Sequence, residues 1–295
     1  MSVEACPSIQ ANNVFFYYKD VDAAARFYRD VIGLEPVADW GFAKMFRVSS
    51  TFFLVLVDEQ QGMHRATEPK SVTLSFVTQE IDAWWEYLNA AGVKMRGPVR
   101  DATRHPTRGF VAYDPEGYFL EFERFLDHAQ NERLLKALAP VAPVRRPPGQ
   151  PGLRPAGLGV QANILWLYYT DLNAAQRFYE EHYCLSLLVD QGFARVMSSS
   201  ASGFIGLVDE SQGLHRFAEN KAVTVSFLSE DIDRWFARLT GRGMKMRAPL
   251  QDEGRVPVRT FVTYDLGGYY VEFDRFVDHE STKTLLGLLG RRKAR

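Results

Sequence analysis

The chain has 295 residues, 46% of them apolar and 24% charged, with a formal net charge of −1. This is the composition of a globular protein long enough for two domains, and the near-neutral balance excludes a bulk electrostatic pull toward nucleic acid or anionic membrane. No apolar run reaches membrane-spanning length, and residues 1–10 lack an apolar stretch of signal-peptide length, so a cytoplasmic protein without membrane or nucleic-acid partners is expected.

In chain order, residues 14–18 form a short apolar and aromatic run that reads as a strand. Asp20 stands where a helix N-cap is needed, and the helix expected over 21–32 ends at Gly33, which suits a left-handed cap. Strands are expected over 35–39, 43–48 and 52–57. The pattern then restarts: a strictly alternating strand over 72–77, a helix over 81–91 closed by Gly92, and strands over 94–99, 109–113 and 118–122. Asp114-Pro115-Glu116-Gly117 makes the turn before the last of these. Each unit is thus two strand–helix–three-strand modules in series, ending in a short helix over 131–138.

The whole arrangement is then repeated. Residues 10–128 align without a gap on residues 161–279 at an offset of 151, with Asp20 on Asp171, His64 on His215, Asp114 on Asp265 and Glu121 on Glu272. A period this long means two domains of one fold rather than a solenoid. We place the first domain at 8–138 and the second at 160–290. Between them, 139–159 is proline-rich and reads as a semi-rigid extended linker with no packed element of its own. Cys184 stands where the first copy has Gly33 and is the poorer cap. Cys6 has no counterpart, so a disulfide framework is not expected and a reducing compartment is. The short basic run Arg291-Arg292-Lys293 reads as a solvated tail.

Tyr18-Lys19-Asp20 leading into Arg26-Phe27-Tyr28 and Ile32-Gly33-Leu34, followed by Tyr113-Asp114-Pro115-Glu116-Gly117-Tyr118-Phe119-Leu120-Glu121, resembles the vicinal oxygen chelate superfamily of glyoxalase I, bleomycin-resistance proteins, fosfomycin-resistance enzymes and extradiol dioxygenases. The second copy repeats the ending as Tyr264-Asp265-Leu266-Gly267-Gly268-Tyr269-Tyr270-Val271-Glu272. The resemblance implies an α+β fold of two tandem domains, each of two βαβββ modules with sheets curled around a cleft. It also implies a small-molecule partner, and either a monomer with pseudo-dimeric domains or a homodimer.

Enzymes of that family hold a divalent metal in the cleft. The ligand positions implied by the resemblance fall on Asn13, Thr73 and Glu121 in the first copy and on Ile164, Thr224 and Glu272 in the second. A fourth falls within residues 54–56 and 205–207, where no side chain coordinates. One carboxylate is not a metal site, since zinc, iron and manganese need about three suitable protein ligands. No metal and no other cofactor is therefore expected. His64, His215, His128 and His279 each stand alone in sequence and read as surface or hinge residues. A general base swung over the cleft is the sharper alternative for His64.

Alternation assigns the cleft faces. Asn13, Phe15 and Tyr17 share one face of the first strand, as do Ile164, Trp166 and Tyr168 in the second copy. Thr73 and Ser75 line the fifth strand, matched by Thr224 and Ser226. Phe119 and Glu121 share a face of the last strand, matched by Tyr270 and Glu272. Apolar walls with a few orienting polar groups are what a small-molecule pocket requires. Glu121 and Glu272 are the candidates for chemistry, because burial without a metal would raise their pKa. Glu121 and Tyr17 are the expected partners of the Thr73 and Ser75 hydroxyls. Three arginine pairs, Arg96/Arg247, Arg104/Arg255 and Arg108/Arg259, flank the hairpin and read as solvated. If one points inward, an anionic ligand is implied.

These features favour metal-independent binding of an aromatic or amphipathic molecule, as in the bacterial antibiotic-resistance branch of the family. The near-neutral charge argues against a highly cationic ligand. The alternatives are a lyase, isomerase or dioxygenase-type enzyme using Glu121 or Glu272, with or without a rearranged metal site, and an interaction module whose clefts are filled by its own side chains.

Overall fold

A computed structural model describes residues 5–150, 152–252 and 254–290; the basic run at 291–293 lies outside the described residues. The first module consists of β1 (Ala11–Tyr18), α1 (Val21–Arg26), β2 (Glu35–Asp39), β3 (Ala43–Ser49) and β4 (Phe52–Asp58). The second holds β5 (Val72–Val77), α2 (Ile81–Ala90), β6 (Arg100–Asp101), β7 (Thr107–Tyr113) and β8 (Phe119–Phe125), and α3 (Glu132–Leu138) closes the copy. In the linker, β9 (Val144–Arg145) pairs with β10 (Gly159–Val160). The second copy runs β11 (Ala162–Tyr169), α4 (Leu172–Tyr183), β12 (Ser186–Asp190), β13 (Ala194–Ser198), β14 (Gly203–Asp209), β15 (Val223–Leu228), α5 (Ile232–Gly241), β16 (Met246–Asp252), β17 (Val258–Tyr264), β18 (Tyr270–Phe276) and α6 (Lys283–Leu288).

The fold is the α+β arrangement of curled sheets implied by the repeat, but the modules share sheets across the copies. One eight-stranded sheet has the order β16-β17-β18-β15-β1-β4-β3-β2, and the other β12-β13-β14-β11-β5-β8-β7-β6. The seams are antiparallel. Phe15 lies opposite Thr224 and Asn13 opposite Ser226 where β1 meets β15, and Trp166 lies opposite Thr73 where β11 meets β5. Each sheet therefore joins the first module of one copy to the second module of the other.

The two sheets pack through their helix-bearing faces into one core, in which Phe16 of one stacks on Tyr118 beside the other at 3.9 Å. The family-like motif has a structural role here. Asp114 is buried and accepts hydrogen bonds from the Tyr18 (2.6 Å) and Tyr28 (3.0 Å) hydroxyls and from the Tyr118 amide (2.7 Å). Burial outweighs these bonds and pushes its carboxyl up to about 6. Asp265 repeats the arrangement with Tyr169 and Tyr179. The opposite faces of the sheets remain concave, with α3 and α6 each packed against one side.

Four expectations need correction. The 139–159 segment is not a free spacer: Arg154 is 1% exposed, with its guanidinium 5.6 Å from the centre of the Trp84 ring. Leu153 donates its amide to Asp30 O at 2.7 Å, and Gln150 donates to Leu34 O, also at 2.7 Å. Proline-rich chain can dock when its few apolar and cationic side chains find cover. Second, α1 does not continue to residue 32 as an α-helix but widens into a π turn over Phe27–Val31, where the linker is attached. Its twin α4 is regular throughout. Third, the strand expected over 94–99 is a single bridge at Met95 followed by the short β6, whereas its twin β16 spans Met246–Asp252. Last, Cys6 and Cys184 form a disulfide. Cys184 adopts the left-handed conformation with φ +60°, so the poor cap is tied to the N-terminal strap. No described helix is long and apolar enough to cross a membrane.

Candidate ligand clefts

Because the modules are exchanged, each cleft draws on both copies. Tyr17 meets the Thr224 hydroxyl at 2.7 Å, and Tyr168 meets Thr73 at 2.8 Å. The Ser75 hydroxyl donates to Glu123, and Ser226 donates to Asp274 at 2.6 Å. The hydroxyl partners expected from the sequence, Tyr17 and Glu121, are thus replaced by Tyr168 and Glu123. The candidate residues sort onto the two sheets, Asn13, Phe15, Tyr17, Thr224, Ser226, Tyr270 and Glu272 on one and Ile164, Trp166, Tyr168, Thr73, Ser75, Phe119 and Glu121 on the other. Of these, Phe15, Tyr17 and Glu272 line the first cleft and Trp166, Tyr168 and Glu121 the second.

The first cleft encloses about 340 Å³. Its walls are apolar and aromatic, with Phe15, Trp40, Phe42, Met45, Met63 and Phe276 facing Tyr17 and Glu272. Thr260 donates its hydroxyl to Glu272 at 3.3 Å. Asn13 is 1% exposed, and neither its amide nitrogen nor its oxygen has a protein partner. Leaving a buried polar group unpaired costs about 1–3 kcal/mol, so such a group is normally satisfied by something outside the chain.

His64, on the segment between β4 and β5, is 6% exposed rather than superficial. Its ring lies 4.3 Å from Tyr270 and 5.0 Å edge-on from Tyr17. Nδ1 sits 2.7 Å from Glu68, while Nε2 is buried without a partner. Burial lowers the His64 pKa, opposed by Glu68. His128 and His279, by contrast, cap short helical turns by accepting from Gln130 and Ser281 amides.

The second cleft holds about 240 Å³ between Trp166, Tyr168, Phe193, Leu214, Glu121 and Glu123, and the same two carboxylates also line a groove of about 620 Å³ with Arg96, Arg100 and Arg104. Glu123 is 4% exposed, and burial pushes its carboxyl up to about 7 against the Ser75 bond. Glu121, half-buried, is raised well above the carboxylate range by burial and by the neighbouring Glu123, with Arg96 opposing. The Trp166 indole N–H lies close enough to favour the Glu123 anion, yet has no partner in bonding geometry. His215 packs 4.3 Å from Phe119 and lacks the carboxylate that His64 has. Burial and then Arg96 take its pKa down to about 4. Tyr17 and Tyr168 are held neutral by burial far above the usual phenol range.

The arginine pairs divide. Arg108 and Arg259 face outward, ion-paired to Asp82 and Asp233 at 2.6 and 2.7 Å. Arg104 and Arg255 reach across the cleft mouths to the other copy, bonding Gln212 (2.6 Å) and Gln61 (2.7 Å) and lying over Phe193 and Phe42. Arg96 and Arg247 lie over Phe119 and Tyr270.

The metal positions implied by the fold can be tested against this geometry. In the first cleft they are Asn13, Thr224 and Glu272, with the Thr224 hydroxyl already engaged by Tyr17 and Glu272 by Thr260. In the second they are Ile164, which has no donor atom, Thr73, which is engaged by Tyr168, and Glu121. These donor sets do not fit a transition metal, and no group of three or more His, Cys, Asp or Glu suited to a metal occurs among the described residues.

Comparison with known proteins agrees with this architecture. The sequence model of the Glyoxalase/Bleomycin resistance protein/Dioxygenase superfamily matches residues 10–122. A dioxygenase candidate from Bacillus subtilis superposes with a TM-score of 0.67 at 13% identity, covering 96% of this chain and 91% of that one. Glyoxalase I from Zea mays does so with a TM-score of 0.61 at 13% identity, covering 98% and 97%. At such identity these likenesses speak to the fold alone. No curated protein matches the chain.

Proposed function

From a chain whose residues 10–122 match the Glyoxalase/Bleomycin resistance protein/Dioxygenase superfamily, we propose that it binds an aromatic or amphipathic small molecule in the first cleft without a metal. The observation that carries this reading is the cavity of about 340 Å³ whose aromatic walls face Tyr17 and Glu272, with the unpaired Asn13 carboxamide on the same strand face as Phe15 but outside its lining. A ligand of drug-like size fills such a volume, buries its rings against Phe15, Trp40 and Phe42, and satisfies the polar floor. Sequestration, as in resistance proteins, is the role this chemistry suits. A single chain completes both clefts, which supports a monomer with pseudo-dimeric halves.

The test is a titration of chelator-treated protein with a naphthalene-based fluorescent probe. Binding should persist in excess chelator and weaken by about tenfold in Phe15→Ala, the loss of one well-packed aromatic contact. Binding that appears only when a divalent metal is added back contradicts the reading.

The His64–Glu68 pair favours a second reading, an enzyme of the lyase or isomerase type. A carboxylate fixing Nδ1 and a buried, unengaged Nε2 is the arrangement of an oriented general base. Glu121 and Glu272 are the other candidates for proton transfer. Glu→Gln at both positions separates the readings: an enzyme loses turnover and keeps its ligand, whereas a binder changes affinity alone.

A further inference from the structure

The carboxyl pair of the second cleft lacks what its surroundings call for. Glu121 and Glu123 are two residues apart on β8, share one face and line one cavity. Ser75 donates to Glu123, but no ion pair reaches either carboxylate, and Glu121 makes no hydrogen bond among the described residues. The equivalent carboxylate of the first cleft, Glu272, receives the Thr260 hydroxyl, and Gly109 stands where that threonine would be. Gly109 lines the open side of the cavity beside Glu121, so the donor is absent there, although a Cβ at this position would press on the Phe122 carbonyl rather than meet open space.

Trp166 adds an independent sign. It is 6% exposed, lines the same cavity as Glu121 and Glu123, and its indole N–H is buried without a hydrogen-bond partner. A cation on the carboxyl pair would favour its ionised form near neutral pH and give this N–H a charged acceptor. Arg96, Arg100 and Arg104 line the same groove, and Arg96 already favours the Glu121 anion, but among the described residues none of them forms an ion pair with either carboxylate. Arg104, at the mouth, is held by Gln212 and Phe193, and Arg96 lies over Phe119. His105 is bonded to Thr107, and burial keeps it and His215 neutral. Tyr168 is engaged by Thr73.

We propose that the second cleft is a site for an organic cation, a protonated amine or amidine on a flat apolar body, seated between Trp166 and Phe193 with its N–H groups on Glu121 and Glu123. Aromatic faces and paired carboxylates together select a hydrogen-bonding cation over a neutral isostere. The near-neutral net charge of the whole chain does not oppose this, because the selection is local. The site is independent of what the first cleft holds, so either assignment can fail without the other.

The experiment is a calorimetric titration of the full chain with benzamidine and with benzamide, its neutral isostere. Benzamidine should bind at least about tenfold more tightly, and its heat near pH 6.5 should differ between phosphate and Tris buffers because the carboxyl pair gives up protons as the cation binds. The preference should vanish in Glu121→Gln/Glu123→Gln. This variant should still fold, because the substitution removes buried charge without changing shape, and thermal unfolding checks it. Trp166→Phe, which keeps the ring and removes the N–H, should reduce the preference by a smaller factor. Equal binding of the two probes, no binding of benzamidine, or a loss that follows Glu272→Gln instead overturns the assignment.

Discussion

The two clefts are built by the same pattern and differ at a few positions that decide what each can hold. The first pairs Phe15 with Val55 across adjacent strands, and the second pairs Trp166 with Gly206. A larger ring on one strand is accommodated by an absent side chain on the next, so the core stays filled. Around the carboxylates the exchange runs the other way. Thr260 and Asp274 of the first cleft become Gly109 and Glu123 in the second, which gives more reach and fewer donors. The histidine differs as well, with a carboxylate partner at His64 and none at His215. Duplication thus kept the scaffold, and compensating pairs made the two sites chemically distinct.

The strongest way to break this comparison is at the Trp166–Gly206 pair. A Cβ on Gly206 would lie 2.0 Å from the indole, so Gly206→Val should destabilise by on the order of 3 kcal/mol. Adding Trp166→Phe recreates the pair of the first cleft and should recover most of that loss. Urea unfolding of the single and double variants measures both, and additive effects would contradict the compensation.

A second test concerns pH. The Glu123 carboxyl is raised from its ordinary 4.5 to about 7 in the folded chain. A raised pKa means its contribution to stability is fully present below about pH 4.5 and is lost as pH climbs through 7, up to about 3 kcal/mol. Glu123→Gln should flatten that decline, making the variant the more stable protein at pH 8 and not at pH 4. Chemical denaturation across this range would show it.

The disulfide joins the N-terminal strap to Cys184, where the first copy has a simple Gly33 cap. Cys6→Ser should cost about 2 kcal/mol, below the full loop-closure value because Ser8 still bonds Asp231 and Trp235. Reducing agent should lower the melting temperature of the parent and leave the variant unchanged. The smallest effect is expected at Glu68→Gln, which should lower the His64 pKa toward that of His215. Proton NMR titration reads this directly, and an unmoved His64 resonance would remove the carboxylate as the source of the difference.

Much of the fold was legible because the signals are local and repeated. The alternation in residues 72–77, the Asp20 cap and the 151-residue offset each depend on neighbours in sequence. The pairing of modules was not legible, because the β1 edge finds equally alternating strands in β5 and β15, and the two choices leave every face pattern intact. Alternation also placed the candidate residues on common sheet faces, and Phe15, Tyr17, Glu272, Trp166, Tyr168 and Glu121 line cavities there, although the hydroxyl partners changed. Glu123 and Asp274 were missed, and following the alternation two residues past Glu121 would have found them. The burial of His64 left no local signal, since it rests on Tyr270 from the other copy. The docking of Arg154 was hidden by prolines that read as an extended spacer.

The most direct test of the account is a native mass spectrum of the gently purified, untagged protein. It should show the chain without divalent metal and, where ligand survives purification, with an organic adduct. A mass increment of one or two divalent metals would contradict metal-independent binding and bring the enzyme reading forward.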